Sequence, residues 1–149
     1  MSEHKTTLTW ERGDAGFGYK EYPREHDWKF PESGISVPAS AAPQYLGSAE
    51  CVDPEEAYTA SLASCHMLTF LAIASMGGFV VDRYEDEAVG YLEKGENGKP
   101  WLARVVMHPK ITFSGEKQPD AEQLEQLHHK AHQECFLANS VKTDVTWEE

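Results

Sequence analysis

The sequence predicts an α+β fold with an antiparallel sheet. Three observations carry that prediction. Short alternating segments broken by glycine and proline fill the N-terminal third. A 19-residue stretch without Asp, Glu, Lys or Arg, Ala57 to Ser75, reads as a helix. Two strand-like runs then flank Asn97-Gly98, and a second helix-like stretch and a closing strand follow. A length of 149 residues suits a single domain over residues 1–149.

Taken in order, Leu8 and Trp10 alternate with polar residues before Gly13, Gly16 and Gly18 interrupt the chain. Arg24, His26, Trp28 and Phe30 fall on one parity, so in a strand they share a face. Pro31 to Ala49 reads as a loop with a short strand at Ile35 to Val37. Asp53 can cap the first helix, Pro54 suits its first position, and Glu55 and Glu56 face the positive end of the dipole. That helix should end near Met76, where Gly77-Gly78 follows.

Phe79 to Lys94 and Trp101 to Ser114 read as two long strands joined by a hairpin turn containing Asn97-Gly98. Trp101, Ala103, Val105 and Met107 should face the core. Pro119 and Asp120 open the second helix, with Gln123 placed to complete a capping box. Its apolar stripe is Leu124, Leu127, Ala131 and Cys135. Thr143 to Trp147 is the last strand.

The formal net charge of -12 argues against nucleic acid and anionic membranes as partners. The N-terminal residues Met1-Ser-Glu-His-Lys show no apolar leader, so a cytoplasmic protein is expected. Ala57 to Ser75 is long enough to suggest a membrane span. Its six Thr, Ser and His residues and its unbiased flanks favour a buried helix in a soluble domain. Burying such a helix on every side is hard in 149 residues, so a partner chain covering its free face is expected.

Cys65 and Cys135 stand 70 positions apart, each on a helix-like segment. Two thiols so placed suit reversible disulfide chemistry, in which one is oxidised and the other resolves the product. The bland alternative for Cys65 is a small apolar core residue. At an ordinary pKa near 8.5 only about 3% of a thiol is ionised at pH 7, so reactivity needs a cation. No Lys or Arg lies within a turn of Cys65, and Arg24 is the candidate. It reads equally as an exposed strand-end arginine. Glu55 is its plausible partner, or simply a charge complementing the helix dipole.

Glu55 and Cys65 are ten residues apart, about 15 Å along one helix. If both serve one site, two copies of the helix must pair antiparallel, which implies a homodimer. His128, His129, His132 and Cys135 offer metal-ligand spacings, and zinc on His128, His132, Cys135 and Cys65 is an alternative. More plainly, these histidines read as solvated or as charge partners of the helix C-terminus. Cys51 reads as a bystander thiol.

The segment Asp53-Pro-Glu-Glu-Ala-Tyr-Thr-Ala-Ser-Leu-Ala-Ser-Cys65-His66 resembles the first-cysteine helix of the OsmC/Ohr family. Ala131-His-Gln-Glu-Cys135-Phe-Leu-Ala-Asn-Ser140 resembles its second-cysteine segment, and Arg24-Glu25-His26 precedes a Pro-Ala-Ser-Ala loop as in that family. The resemblance extends over residues 20 to 147. It implies an intertwined homodimer with two central helices packed on antiparallel sheets. It implies a cysteine-based peroxidase acting on organic hydroperoxides, and more weakly on hydrogen peroxide, without a cofactor. By that likeness Cys65 is the peroxidatic thiol, Cys135 the resolving thiol, and Arg24 and Glu55 the activating pair. A dithiol, from a lipoyl protein or a thioredoxin-like one, would be the reductant. Phe136 stands where the Ohr branch usually has proline, so the chain looks closer to the OsmC-like branches. A metal-binding or catalytically silent ligand-binding protein of the same fold is the alternative.

Overall fold

The computed structural model describes residues 1–149. The chain divides into two compact units, Met1–Ala57 and Tyr58–Glu149.

The first unit carries an antiparallel sheet of β1 (Thr7–Thr9), β2 (His26–Phe30) and β3 (Ile35–Ala39), in that order. Leu8 pairs with Trp28, and His26 with Ala39. The shared parity of His26 and Trp28 is realised, since Trp28 Nε1 donates to His26 Nε2 at 3.0 Å. With that nitrogen accepting, Nδ1 carries the proton and donates to the Arg24 carbonyl at 2.8 Å. Arg24 itself precedes the strand, so strand parity does not set where its side chain points.

The long helix α1 spans Pro54–Met76. Its start is a capping box: Glu56 N–H donates to Asp53 Oδ1 at 2.8 Å, and Asp53 N–H to Glu56 Oε1 at 3.1 Å. Its end is a Schellman motif, in which Phe79 N–H donates to Ala74 O and Gly78 N–H to Ser75 O, both at 3.0 Å. Gly78 supplies the left-handed residue this closure needs, with φ +83°. Lys117 Nζ donates to the Gly77 carbonyl at 2.6 Å, a cation at the negative end of the dipole.

In the second unit the two long strands expected from the sequence each break in two. β4 (Val80–Asp86) pairs with β7 (Pro109–Ser114), while β5 (Val89–Lys94) pairs with β6 (Pro100–Met107) as a hairpin. The break is held where Asp86 Oδ1 accepts the His108 N–H at 2.7 Å and His108 Nδ1 donates to the Glu87 carbonyl at 2.9 Å. β8 (Asp144–Trp147) joins the other edge of β6 and runs parallel to it, the one parallel ladder between strands.

The expected inward face of β6 is half right. Val105 and Met107 are buried, but Trp101 is exposed. An extra residue, Ala103, sits in β6 between the pairs Tyr91–Arg104 and Leu92–Leu102. This bulge shifts the alternation, so Leu102 rather than Trp101 turns inward.

Two sheets give α1 two seats. Leu62 packs with Val105, Met107 and Val145 of the β5–β6–β8 sheet. Phe70 and Ala74 pack with Leu127 and Ala131 of helix α2 (Ala121–Glu134), and with residues of β4 and β7. The capping box of α2, Asp120 with Gln123, forms as expected. Tyr58 and Thr143 share a 2.7 Å hydrogen bond, and Thr143 donates onward to the Leu102 carbonyl at 2.7 Å.

Candidate thiol site

Cys65 lies midway along α1 and is half-buried; Cys135 caps the C-terminus of α2 and is 1% exposed. Extended backbone at Cys135, φ -69° and ψ 116°, stops the helix there and opens the turn that follows. Both thiols are free. Cys135 Sγ accepts the Ala138 N–H at 3.4 Å.

Cys65 lies close enough to Cys135 to perturb its ionisation. Burial pushes the Cys135 thiol up from its ordinary value, and the neighbouring Cys65 adds to the rise, while the N–H groups of Ala138 and Leu137 oppose it. Cys135 therefore holds its proton to higher pH than an ordinary thiol. The pair is asymmetric. Cys65 is partly exposed, whereas Cys135 is buried and its thiol is pushed up.

Beneath the thiols lies a feature the sequence reading missed. His66, next to Cys65, is 1% exposed, and His128 is 0% exposed. His66 Nε2 stands 2.9 Å from His128 Nδ1. Their rings are nearly parallel at 8°, and Trp147 stacks on both with centroids 5.6 Å away. Burial holds each imidazole down at about 4, and nearby imidazoles lower it further. Glu125 pulls His128 the other way.

The expectation that the histidines of α2 are solvated fails for His128, which faces the interior; His129 is exposed and His132 half-buried. The signal was present in the spacing. His66 belongs to the buried stripe Thr59, Leu62, His66, Phe70, Ala74, and His128 sits between Leu127 and Ala131 on the apolar face.

In the N-terminal unit the Arg24 guanidinium donates to the Tyr22 carbonyl at 2.6 Å and to the Tyr19 carbonyl. It lies over the rings of both tyrosines, 3.6 Å from the Tyr22 centroid. Glu55 occupies the first turn of α1, and Cys51 N–H donates to Ser48 O at 3.3 Å. No three His, Cys, Asp or Glu side chains are grouped to hold a metal ion. The zinc quartet of His128, His132, Cys135 and Cys65 is therefore not assembled.

A family model described as OsmC-like protein matches residues 47–149. Among solved structures, an OsmC-like protein of unknown function from Vibrio cholerae is 46% identical, with 99% of each chain covered and a TM-score of 0.94. An organic hydroperoxide resistance protein from Elizabethkingia anophelis, with thiocyanate bound, superposes with a TM-score of 0.70 at 18% identity, covering 99% of this chain and 98% of its own. The organic hydroperoxide resistance protein OhrB of Bacillus subtilis gives 0.67 at 20% identity, covering 97% and 96%. The last two share the fold. No curated protein matches the sequence.

Proposed function

We propose that this chain, which belongs to the OsmC-like family, is a thiol-dependent peroxidase that reduces organic hydroperoxides, and hydrogen peroxide more weakly. The observation that carries the proposal is that Cys65, half-buried, and Cys135, buried, come from positions 70 apart to be near enough for one to perturb the other. Two free thiols with those unequal surroundings suit an attacked sulfur and a resolving one.

The Cys65 thiolate attacks the terminal oxygen of the hydroperoxide. The O–O bond breaks, and the leaving alkoxide takes a proton from water to become the alcohol. Cys65 is now a sulfenic acid. The Cys135 sulfur attacks it, the S–O bond breaks, and the Cys135 proton leaves with hydroxide as water. An external dithiol then reduces the disulfide and is itself oxidised. Arg24 would stabilise the Cys65 thiolate, since a cation within about 4–6 Å lowers a pKa by roughly 1–3 units. Glu55 would orient Arg24.

A second copy of the chain would complete the site. The buried stripe of α1 leaves other apolar residues uncovered: Leu68 is 61% and Met76 80% exposed. An antiparallel pairing of two such helices would also bring Glu55 of one copy toward Cys65 of the other.

The deciding experiment is peroxide turnover by Cys65→Ser, together with intact mass of the native chain after mild cumene hydroperoxide. Loss of turnover in the variant, and loss of two hydrogens without added oxygen in the native chain, support the cycle. Full turnover by Cys65→Ser refutes it.

A further inference from the structure

We propose that His66 and His128 are positioning residues for the two thiols: their mutual hydrogen bond fixes α1 against α2 and thereby sets the approach of Cys65 to Cys135. The inference deepens the thiol-peroxidase reading and rests on it for its place in catalysis, though its test does not.

The two imidazoles occupy the joint of the second unit. One turn before His66, Leu62 packs on the β5–β6–β8 sheet; one turn after it, Phe70 packs with α2, β4 and β7. The apolar contacts between α1 and α2 include those of Phe70 and Ala74 with Leu127 and Ala131. Such surfaces attract without direction. A bond between two buried polar groups does have direction. At 2.9 Å it is of ordinary strength, and a shift of one helix would leave both nitrogens dry and unpaired. His66 is the residue after Cys65, and His128 precedes Cys135 by two turns, about 10.5 Å of α2.

The surroundings also select the tautomer. His128 Nε2 lies 3.3 Å from Glu149 Oε1, although out of line for a hydrogen bond. A proton on that nitrogen faces a carboxylate; a lone pair there would oppose it. With the proton on Nε2, His128 Nδ1 must accept, so His66 Nε2 donates. His66 Nδ1 is then an unpaired acceptor rather than an unpaired donor, the less costly orphan. One arrangement therefore satisfies both rings best, as a positioning element requires.

The test measures disulfide formation in glutathione buffers of graded ratio, with the full-length chain carrying Cys51→Ser, read by intact mass after acid quench. The midpoint gives the effective concentration of one thiol at the other. A side-chain amide can stand in for one ring nitrogen at a time: glutamine places it near Nε2, asparagine near Nδ1. The pair His66→Gln/His128→Asn should therefore keep the bond and stay within about two-fold of the parent. His66→Leu and His128→Leu should lower the effective concentration by roughly three- to ten-fold, the worth of one hydrogen bond. Should the leucine variants fail to fold, His66→Asn against His66→Gln carries the same comparison, because only glutamine reaches His128.

Parent-like values for His66→Leu or His66→Asn overturn the proposal. Equal losses in the conservative and disruptive variants also overturn it, since they would mean that ring packing rather than the bond does the positioning. A parent chain that never forms the Cys65–Cys135 disulfide overturns both this inference and the peroxidase reading. One that forms it but does not turn over peroxide removes the peroxidase reading alone.

Discussion

Acid should loosen this protein well above the carboxylate range, and the buried imidazoles set by how much. His66 and His128 are each held at about 4 in the folded chain, against an ordinary 6.5. The unfolded chain therefore takes up protons first as pH falls, and stability present above pH 6.5 drains away toward pH 4. From pH 7 to pH 5, one such imidazole gives up about 2 kcal/mol, so the pair gives up about 3–4 kcal/mol. That is a large share of the roughly 5–15 kcal/mol by which domains are stable. Asp86 and Glu149, raised by burial, act in the opposite direction as pH falls toward their own range. The interval from pH 7 to 5 is therefore where the imidazoles dominate. Urea unfolding at fixed ionic strength and fixed protein concentration, followed by circular dichroism at both pH values, gives the difference directly. The same measurement on His66→Gln/His128→Asn should show most of the drop abolished. A native chain equally stable at both values, or a drop unchanged in the double variant, would refute the assignment of buried neutral imidazoles.

Three further outcomes follow from particular contacts. A Cβ on Gly90 would stand 2.2 Å from Thr59 Oγ1, so Gly90→Ala should cost about 1–3 kcal/mol by urea unfolding. In a Thr59→Ala background most of that loss should vanish, and an equal loss in both backgrounds would refute the steric cause. Cys135→Ser should permit one oxidation of Cys65 by cumene hydroperoxide and then stall. Mass spectrometry should find sulfinic acid accumulating at Cys65, and sustained turnover would remove Cys135 from the resolving role. Arg24→Ala should slow the first oxidation of Cys65 in stopped-flow, and more so below pH 7, while leaving the later disulfide step unchanged. An unaltered first step would mean that another cation favours the thiolate.

The sequence was legible where the controlling interaction is local. Asp53, Pro54 and the two glycines bracket α1, and Asp120 with Gln123 starts α2; these signals act within four residues of themselves, and both helices begin where they were expected. The turn at Asn97-Gly98 is of the same kind, with Gly98 at φ +75°. The breaks in the strands are not local. Nothing in the run from Phe79 to Lys94 marks Glu87-Ala88 as a break until Asp86 meets the His108 N–H across the sheet, a separation of 22 residues. The inserted Ala103 likewise shows only in the pairing of β5 with β6. Period-two reasoning then assigns Trp101 inward when it points out.

The same distinction explains why the thiols could be picked from the sequence and the histidines beneath them could not. A cysteine on a helix invites attention by its chemistry, whatever its surroundings. A histidine near an apolar stripe is ambiguous, because its ring suits water as well as a core. What settles His66 and His128 is each other: burying one imidazole alone leaves polar nitrogen dry, whereas burying two supplies a donor for an acceptor. Their spacing, 62 residues, carries no periodic signature. The decisive cue was a coincidence of two stripes, since each helix sets one histidine on its inward face. A polar residue on an inward stripe calls for a partner, and the place to look is the inward stripe of the element packed against it. Applied to α1 and α2, that rule pairs His66 with His128 and places their bond between the two helices that deliver Cys65 and Cys135.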